Sequence, residues 1–137
     1  MTGLSLMVFA PAVGALLVAT VPSVARDTMR RTAVAVSLVP LALAILAWAR
    51  FDPADGGFQM VERAAWIPSF GVSYFVGIDG ISLLLVLLTT FLVPLVLVVA
   101  GDSIQVRLKG YLVAMLFLET TMLGTLAALD LVLFYVF

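Results

Sequence analysis

The stretch Ile81–Ala100 reads ISLLLVLLTTFLVPLVLVVA, twenty residues with no charge and one proline. As an α-helix it spans about 30 Å, the thickness of a bilayer hydrocarbon core. Working outward, Gly101-Asp102 closes this run, and Arg107 and Lys109 precede another from Gly110 to Leu129. Leu131 onward is apolar again. Toward the N-terminus, Arg50–Gly80 mixes acids with aromatics, Gly and Pro. Before it lie the apolar runs Leu4–Val21 and Thr32–Ala49, separated by a polar loop with Arg26, Asp27, Arg30 and Arg31. The pattern predicts an all-α integral membrane fold, a single membrane domain over residues 1–137. Its helices fall at about 4–21, 32–49, 81–100 and 110–129, with the start of a fifth from 131 and an outer loop at 50–80.

Composition agrees. The chain is 64% hydrophobic and 11% charged, with a mean hydropathy of +1.27, whereas soluble domains are about half apolar and about a quarter charged. A net charge of −1 offers nucleic acid no basic face. With neither Cys nor His, disulfides, thiol chemistry, Cys-bound iron–sulfur clusters, His-ligated haem and most zinc sites are excluded. No nucleophile–base set, phosphate loop or metal-ligand spacing occurs, so catalytic, cofactor and metal residues are expected to be none.

A small-residue site at Ser23-Val24-Ala25 resembles a signal-peptidase cut, but Met1–Met7 carries no Lys or Arg, so the first run is read as a retained helix. Five basic residues fall in the two short loops and only Arg50 and Arg63 in the long one. Basic residues favour the cytoplasmic side, which predicts an outer N-terminus and an outer 50–80 segment. Within that segment Trp66-Ile67-Pro68 suits an interfacial anchor. The alternation of Val72, Tyr74, Val76 and Ile78 with smaller or polar neighbours suits either a short strand or a loop.

Three features break the apolar monotony. Pro11, Pro40 and Pro94 lie within helices, where each removes a donor and frees a carbonyl, that of Met7, Val36 or Thr90. They are read as kinks or as flexing points beside a wet path. Glu119 is the tenth residue of its run, near mid-bilayer. An acid there costs about 2.5–3.5 kcal/mol on insertion scales and is a functional candidate by default. It is expected to be protonated, paired with a cation, or hydrogen-bonded to Thr89 or Thr90. Asp130 would break an otherwise overlong helix from Tyr111 to Phe137 by capping the next one. Asp79 is read as the N-cap at the helix entry before Ile81.

Two strings carry a resemblance. Trp66–Leu83, WIPSFGVSYFVGIDGISL, resembles the entry to the third helix of subunit M of proton-translocating NADH–quinone oxidoreductase, the counterpart of mitochondrial chain 4. Leu118–Phe137, LETTMLGTLAALDLVLFYVF, looks like the junction of helices 4 and 5 in the same antiporter-like family. The resemblance implies the N-terminal portion of a longer chain, of about fourteen helices by family size and helix length. It implies a proton-translocating membrane-arm subunit, with proton-path candidates Glu119 and Asp130 and Asp79 in the Ile-Asp-Gly motif. The family's central Glu would fall two positions beyond Phe137. NADH, flavin, iron–sulfur clusters and quinone are expected only in other subunits. The expected partners are neighbouring membrane-arm chains, the lipid bilayer and protons, with quinone only indirectly. The expected location is the bacterial cytoplasmic (inner) membrane. A cation/proton antiporter subunit of the same fold and a small membrane scaffold are the alternatives.

Overall fold

The computed structural model describes residues 3–104 and 106–137. Its elements in order are α1 (Gly3–Thr20), α2 (Arg26–Arg50), β1 (Gln59–Ile67), a 3-10 turn (Pro68–Phe70), β2 (Val72–Ile78), α3 (Gly80–Ser103), α4 (Leu108–Ala127) and α5 (Leu131–Val136). The first four α-helices are each long and apolar enough to cross a membrane. They pack as a bundle in which α1 lies against α2 and α4, and α3 against α2 and α4. Small residues face inward, among them Gly14, Ala15, Ala33, Ser37, Ala44 and Gly124. Large ones such as Leu16, Leu84 and Val99 face out. That is the packing a lipid solvent selects, because close backbone approach rather than apolar burial holds membrane helices together. At Gly14 an added Cβ would collide with the Val36 side chain, so this glycine sets the α1–α2 approach.

α2 starts at Arg26, six residues before the expected Thr32, because its basic residues are the first turns of the helix rather than a loop. From there Arg26 Nη2 donates to Ile104 O (2.7 Å) and Arg30 Nη2 to Val98 O (2.6 Å), while Lys109 Nζ donates to Ala19 O (2.8 Å). These carbonyls lie in or just past the final turns of α3 and α1, the negative ends of their dipoles. α3 runs through Gly101 and Asp102 to Ser103; the Asp102 side chain lies outside the described residues.

The mostly helical membrane fold is the expected one, and the 50–80 segment adds a β-hairpin to it. β1 and β2 are antiparallel, pairing Gln59 with Ile78, Glu62 with Val76 and Ala65 with Ser73. Gly71 (φ 68°) makes the left-handed turn between them. The register shifts between Gln59 and Glu62, where Met60 takes φ 52°. Val72, Val76 and Ile78 of β2 are buried against the bundle, whereas β1 is largely exposed. This explains why only β2 left a trace in the sequence, as the charges of Glu62 and Arg63 mask the periodicity of β1.

Candidate functional site

The buried apolar side chains form two separate clusters. The one beside the hairpin contains Leu4, Met7, Ala44, Leu83, Val86 and Leu123, among others. The one at the opposite end of the bundle contains Ala15, Val18, Ala33, Val93, Leu97 and Leu116. The interval between them on every helix holds what the clusters omit. On α1 it is Pro11 and Gly14, on α2 Ser37 and Pro40, on α3 Thr89 and Thr90, and on α4 Glu119 and Thr120. The core is thus cut by a thin polar layer. Glu119 lies about 16 Å along α4 from Leu108, near the middle of a 30 Å core to about one turn.

Within that layer Glu119 is fully buried, at 0% exposure. Neither of its carboxyl oxygens, nor Thr120 Oγ1, has a hydrogen-bond partner among the described residues. The expected bond to a threonine of α3 is not made. Thr90 Oγ1 turns back onto its own helix, donating to Val86 O (2.9 Å) and Leu87 O (3.1 Å). Ser37 Oγ does the same toward Val34 O (2.9 Å). β-branched and small hydroxyl residues favour this back-bonding in apolar surroundings. No salt-bridge partner for Glu119 occurs among the described residues. Arg26, Arg30 and Lys109 reach carbonyls at the helix ends far from the hairpin, and Arg63 sits over the Phe75 ring in the hairpin.

Pro11 and Pro40 are buried within this layer, and Pro94 is buried one turn further in. Each frees a helix carbonyl, and Thr90, whose carbonyl Pro94 frees, is itself a layer residue. The arrangement offers one acid and helix carbonyls that the prolines deprive of their usual donor. Chemically, that is a place where a proton or a water molecule has somewhere to go.

Asp130 is placed differently. α4 ends at Ala127, and Leu129 N donates to Phe75 O (2.8 Å) while Ala128 bridges to Val76. Asp130 Oδ1 then accepts from Val132 N (2.9 Å) and Leu133 N (3.3 Å), capping α5. Its Oδ2 accepts from Ser73 N (3.3 Å). The bond from the Ser73 amide, and then those from the helix, hold its carboxyl below the ordinary carboxylate value. The two acids are not neighbours: Glu119 is in the layer and Asp130 at the hairpin end of the bundle.

Asp79 closes a capping box at the start of α3. Its Oδ1 accepts from Ser82 N (2.7 Å), and Asp79 N donates to Ser82 Oγ (2.9 Å). The Ser82 amide depresses its carboxyl. One polar cluster escaped the sequence reading. Glu62 of β1 accepts from Ser5 N (3.0 Å) and Ser5 Oγ (2.6 Å), and Ser5 Oγ meets Tyr74 Oη at 2.7 Å. Burial, with the Glu62 charge beside it, pushes the Tyr74 hydroxyl up against the opposing bond from Ser5. The available signal was negative: α1 opens with no acid in its first turn, so its amides need an acceptor from elsewhere.

No family model matches the chain. Among curated proteins, it is 42% identical over 139 residues to NADH-quinone oxidoreductase subunit M of Rhodobacter capsulatus, covering 98% of this chain and 26% of that one. It is 34% identical to NADH-ubiquinone oxidoreductase chain 4 of Arabidopsis thaliana, covering 98% of this chain and 27% of that one. Among solved structures, a chain of respiratory complex I from Thermus thermophilus with bound NADH superposes with a TM-score of 0.77 at 31% identity. That match covers 97% of this chain and 26% of the other. The chain therefore spans about a quarter of the length of the relatives it matches.

Proposed function

We propose, from the premise that this chain is homologous over nearly its whole length to subunit M and chain 4 of NADH–quinone oxidoreductases, that it carries protons through the membrane. It is a multi-pass membrane protein of that family. In the proposed reading it works as a membrane-arm subunit driven by NADH oxidation and quinone reduction. The redox cofactors sit in other subunits, and neighbouring membrane-arm chains are its partners. The bacterial cytoplasmic membrane is its proposed location.

The observation that carries this reading is the Glu119 carboxyl, without a hydrogen-bond partner among the described residues, in a polar break of the core. A fully structural acid would be capped, as Asp79 and Asp130 are. A buried acid without partners reduces stability, and its retention is explained if it takes up and releases a proton. In this reading the carbonyls that the prolines free supply further acceptors. Asp130 contributes by position: it fixes the start of α5 against the hairpin, and with it whatever α5 presents to the path.

The test is proton pumping by the full-length protein in its native assembly, read as a pH gradient per NADH oxidised. Glu119→Gln keeps the shape and removes the titrating group, and should lower that ratio. A ratio equal to the parent's would remove Glu119 from the path.

A further inference from the structure

We propose that Thr120 is a positioning residue for proton transfer at Glu119: its hydroxyl holds a water molecule against the Glu119 carboxyl and directs the proton to the side of α4 that α1 and α5 cover. The inference rests on the proton carriage proposed above. It starts from a hydroxyl that behaves unlike its neighbours. Of the three threonines of α4, Thr121 donates to Leu118 O (2.9 Å) and Thr125 to Thr121 O (2.8 Å). That is the ordinary resort of a hydroxyl in an apolar helix. Thr120 makes no such bond, although it is only 6% exposed and its Oγ1 is buried. A buried hydroxyl is costly to leave without a partner, and Thr120 has none among the described residues.

The place of Thr120 on α4 gives that hydroxyl its use. Successive residues of an α-helix point about 100° apart, so Glu119 and Thr120 open toward different neighbours. Glu119 shares a stripe with Met122 and Leu126, which wall a groove opposite Leu88, Thr89 and Leu92 of α3. Thr120 shares one with Gly124, four residues on. There an added Cβ would run into the Phe137 ring, so the end of α5 lies against this stripe. The Phe137 ring in turn meets Phe9 of α1, with ring centroids 5.9 Å apart. Glu119 thus stands on the α3 side of α4, and Thr120 on the α1–α5 side, one turn from the Phe137 contact. Adjacent helix positions do not face each other, so hydroxyl and carboxyl meet through a third group. A buried water engages about three polar atoms, and the two Glu119 oxygens with Thr120 Oγ1 supply them. The hydroxyl suits the part because it both donates and accepts. In the transfer the carboxyl O–H bond breaks and the water takes the proton. The negative charge stays on Glu119, and the water passes a proton on toward the α1–α5 side. Uptake runs the same steps in reverse, and no reactant beyond water and the proton is needed.

The experiment uses the full-length protein in its native assembly and reads protons pumped per NADH oxidised. Thr120→Val keeps the shape and removes the hydroxyl, whereas Thr120→Ser keeps the hydroxyl and loses the methyl. Thr120→Val should cause most of the loss that Glu119→Gln causes, and Thr120→Ser should recover most of it. Because Thr120 acts through Glu119, the double variant Glu119→Gln/Thr120→Val should pump no worse than Glu119→Gln alone. A methyl in place of an unbonded hydroxyl should leave the assembly as stable to heat as the parent. If the valine variant does not assemble, Thr120→Ala takes its place against serine and should lose as much. Parent-level pumping in Thr120→Val beside a loss in Glu119→Gln overturns the inference and leaves proton carriage by Glu119 standing. An equal loss in the serine and valine variants also overturns it, by making the methyl and its packing the cause. So does a double variant that loses the sum of the two single losses. Parent-level pumping in Glu119→Gln overturns the earlier reading and this one with it.

Discussion

Glu119 and Asp130 are the same kind of group, eleven residues apart on one stretch of chain, yet their surroundings are opposite. Asp130 collects three backbone donors from two elements and holds them together. Glu119 collects none among the described residues. The difference lies in where backbone amides are free. At a helix terminus the first amides lack partners, so a carboxylate there satisfies them and is satisfied. In a helix middle every amide is already bonded, and a carboxyl must find a side chain, a water molecule or a proton. One acid is therefore architecture and the other is chemistry waiting for a reactant.

Substitutions can break this contrast from either side. The largest effect should come from Glu119→Leu in the full-length protein. Pumping should fall as with Glu119→Gln, while stability in detergent rises by about 1–3 kcal/mol, because a buried unsatisfied group is gone. A loss of both would show that the layer depends on the acid for its packing.

Gly14→Ala tests whether the layer needs close helices. Its new methyl meets Val36, and overpacking of this kind costs about 1–3 kcal/mol. Val36→Ala in the same chain should recover most of that loss in a thermal unfolding measurement. Failure to recover would place the strain elsewhere.

A smaller and more local change follows from Asp130→Ala. Hydrogen exchange should quicken at Ser73, Val132 and Leu133, the amides the carboxylate receives, with the Glu119 layer undisturbed. Asp130→Asn should fall between, since an amide oxygen still caps. Exchange at the parent rate in Asp130→Ala would mean that the Leu129–Phe75 backbone bond alone holds the junction.

The smallest effect is a pH dependence at Asp79. Its folded carboxyl titrates below the ordinary value of 3.8, so the unfolded chain binds the proton first. Its contribution to stability is complete above that ordinary value and is lost as pH falls through the depressed folded one. The acid limb of an unfolding curve should flatten in Asp79→Asn. An unchanged limb would show that the capping box is silent.

Much of this molecule is legible as text. The helices announce themselves because lipid demands long charge-free runs. Asp79 and Asp130 announce themselves because acids between apolar runs find free amides there. The start of α2 was misread because arginines look like a loop, although their long side chains reach from a helix to the carbonyls of α3. β1 was unreadable because its outer face meets water and its inner neighbour is β2, so burial left little period in its sequence.

What the sequence determined by itself is the class of protein, the number of long helices and the presence of one acid at mid-depth. These follow from local rules, in which each residue answers to its own solvent. Only the tertiary structure decided that the core splits into two apolar clusters and that Glu119 falls in the split. It also decided that Glu62 serves the start of a helix 57 residues away. Those facts depend on which faces meet and at what depth. Four helices of nearly uniform apolarity carry little periodicity to say so, because in lipid the outer face is as greasy as the inner.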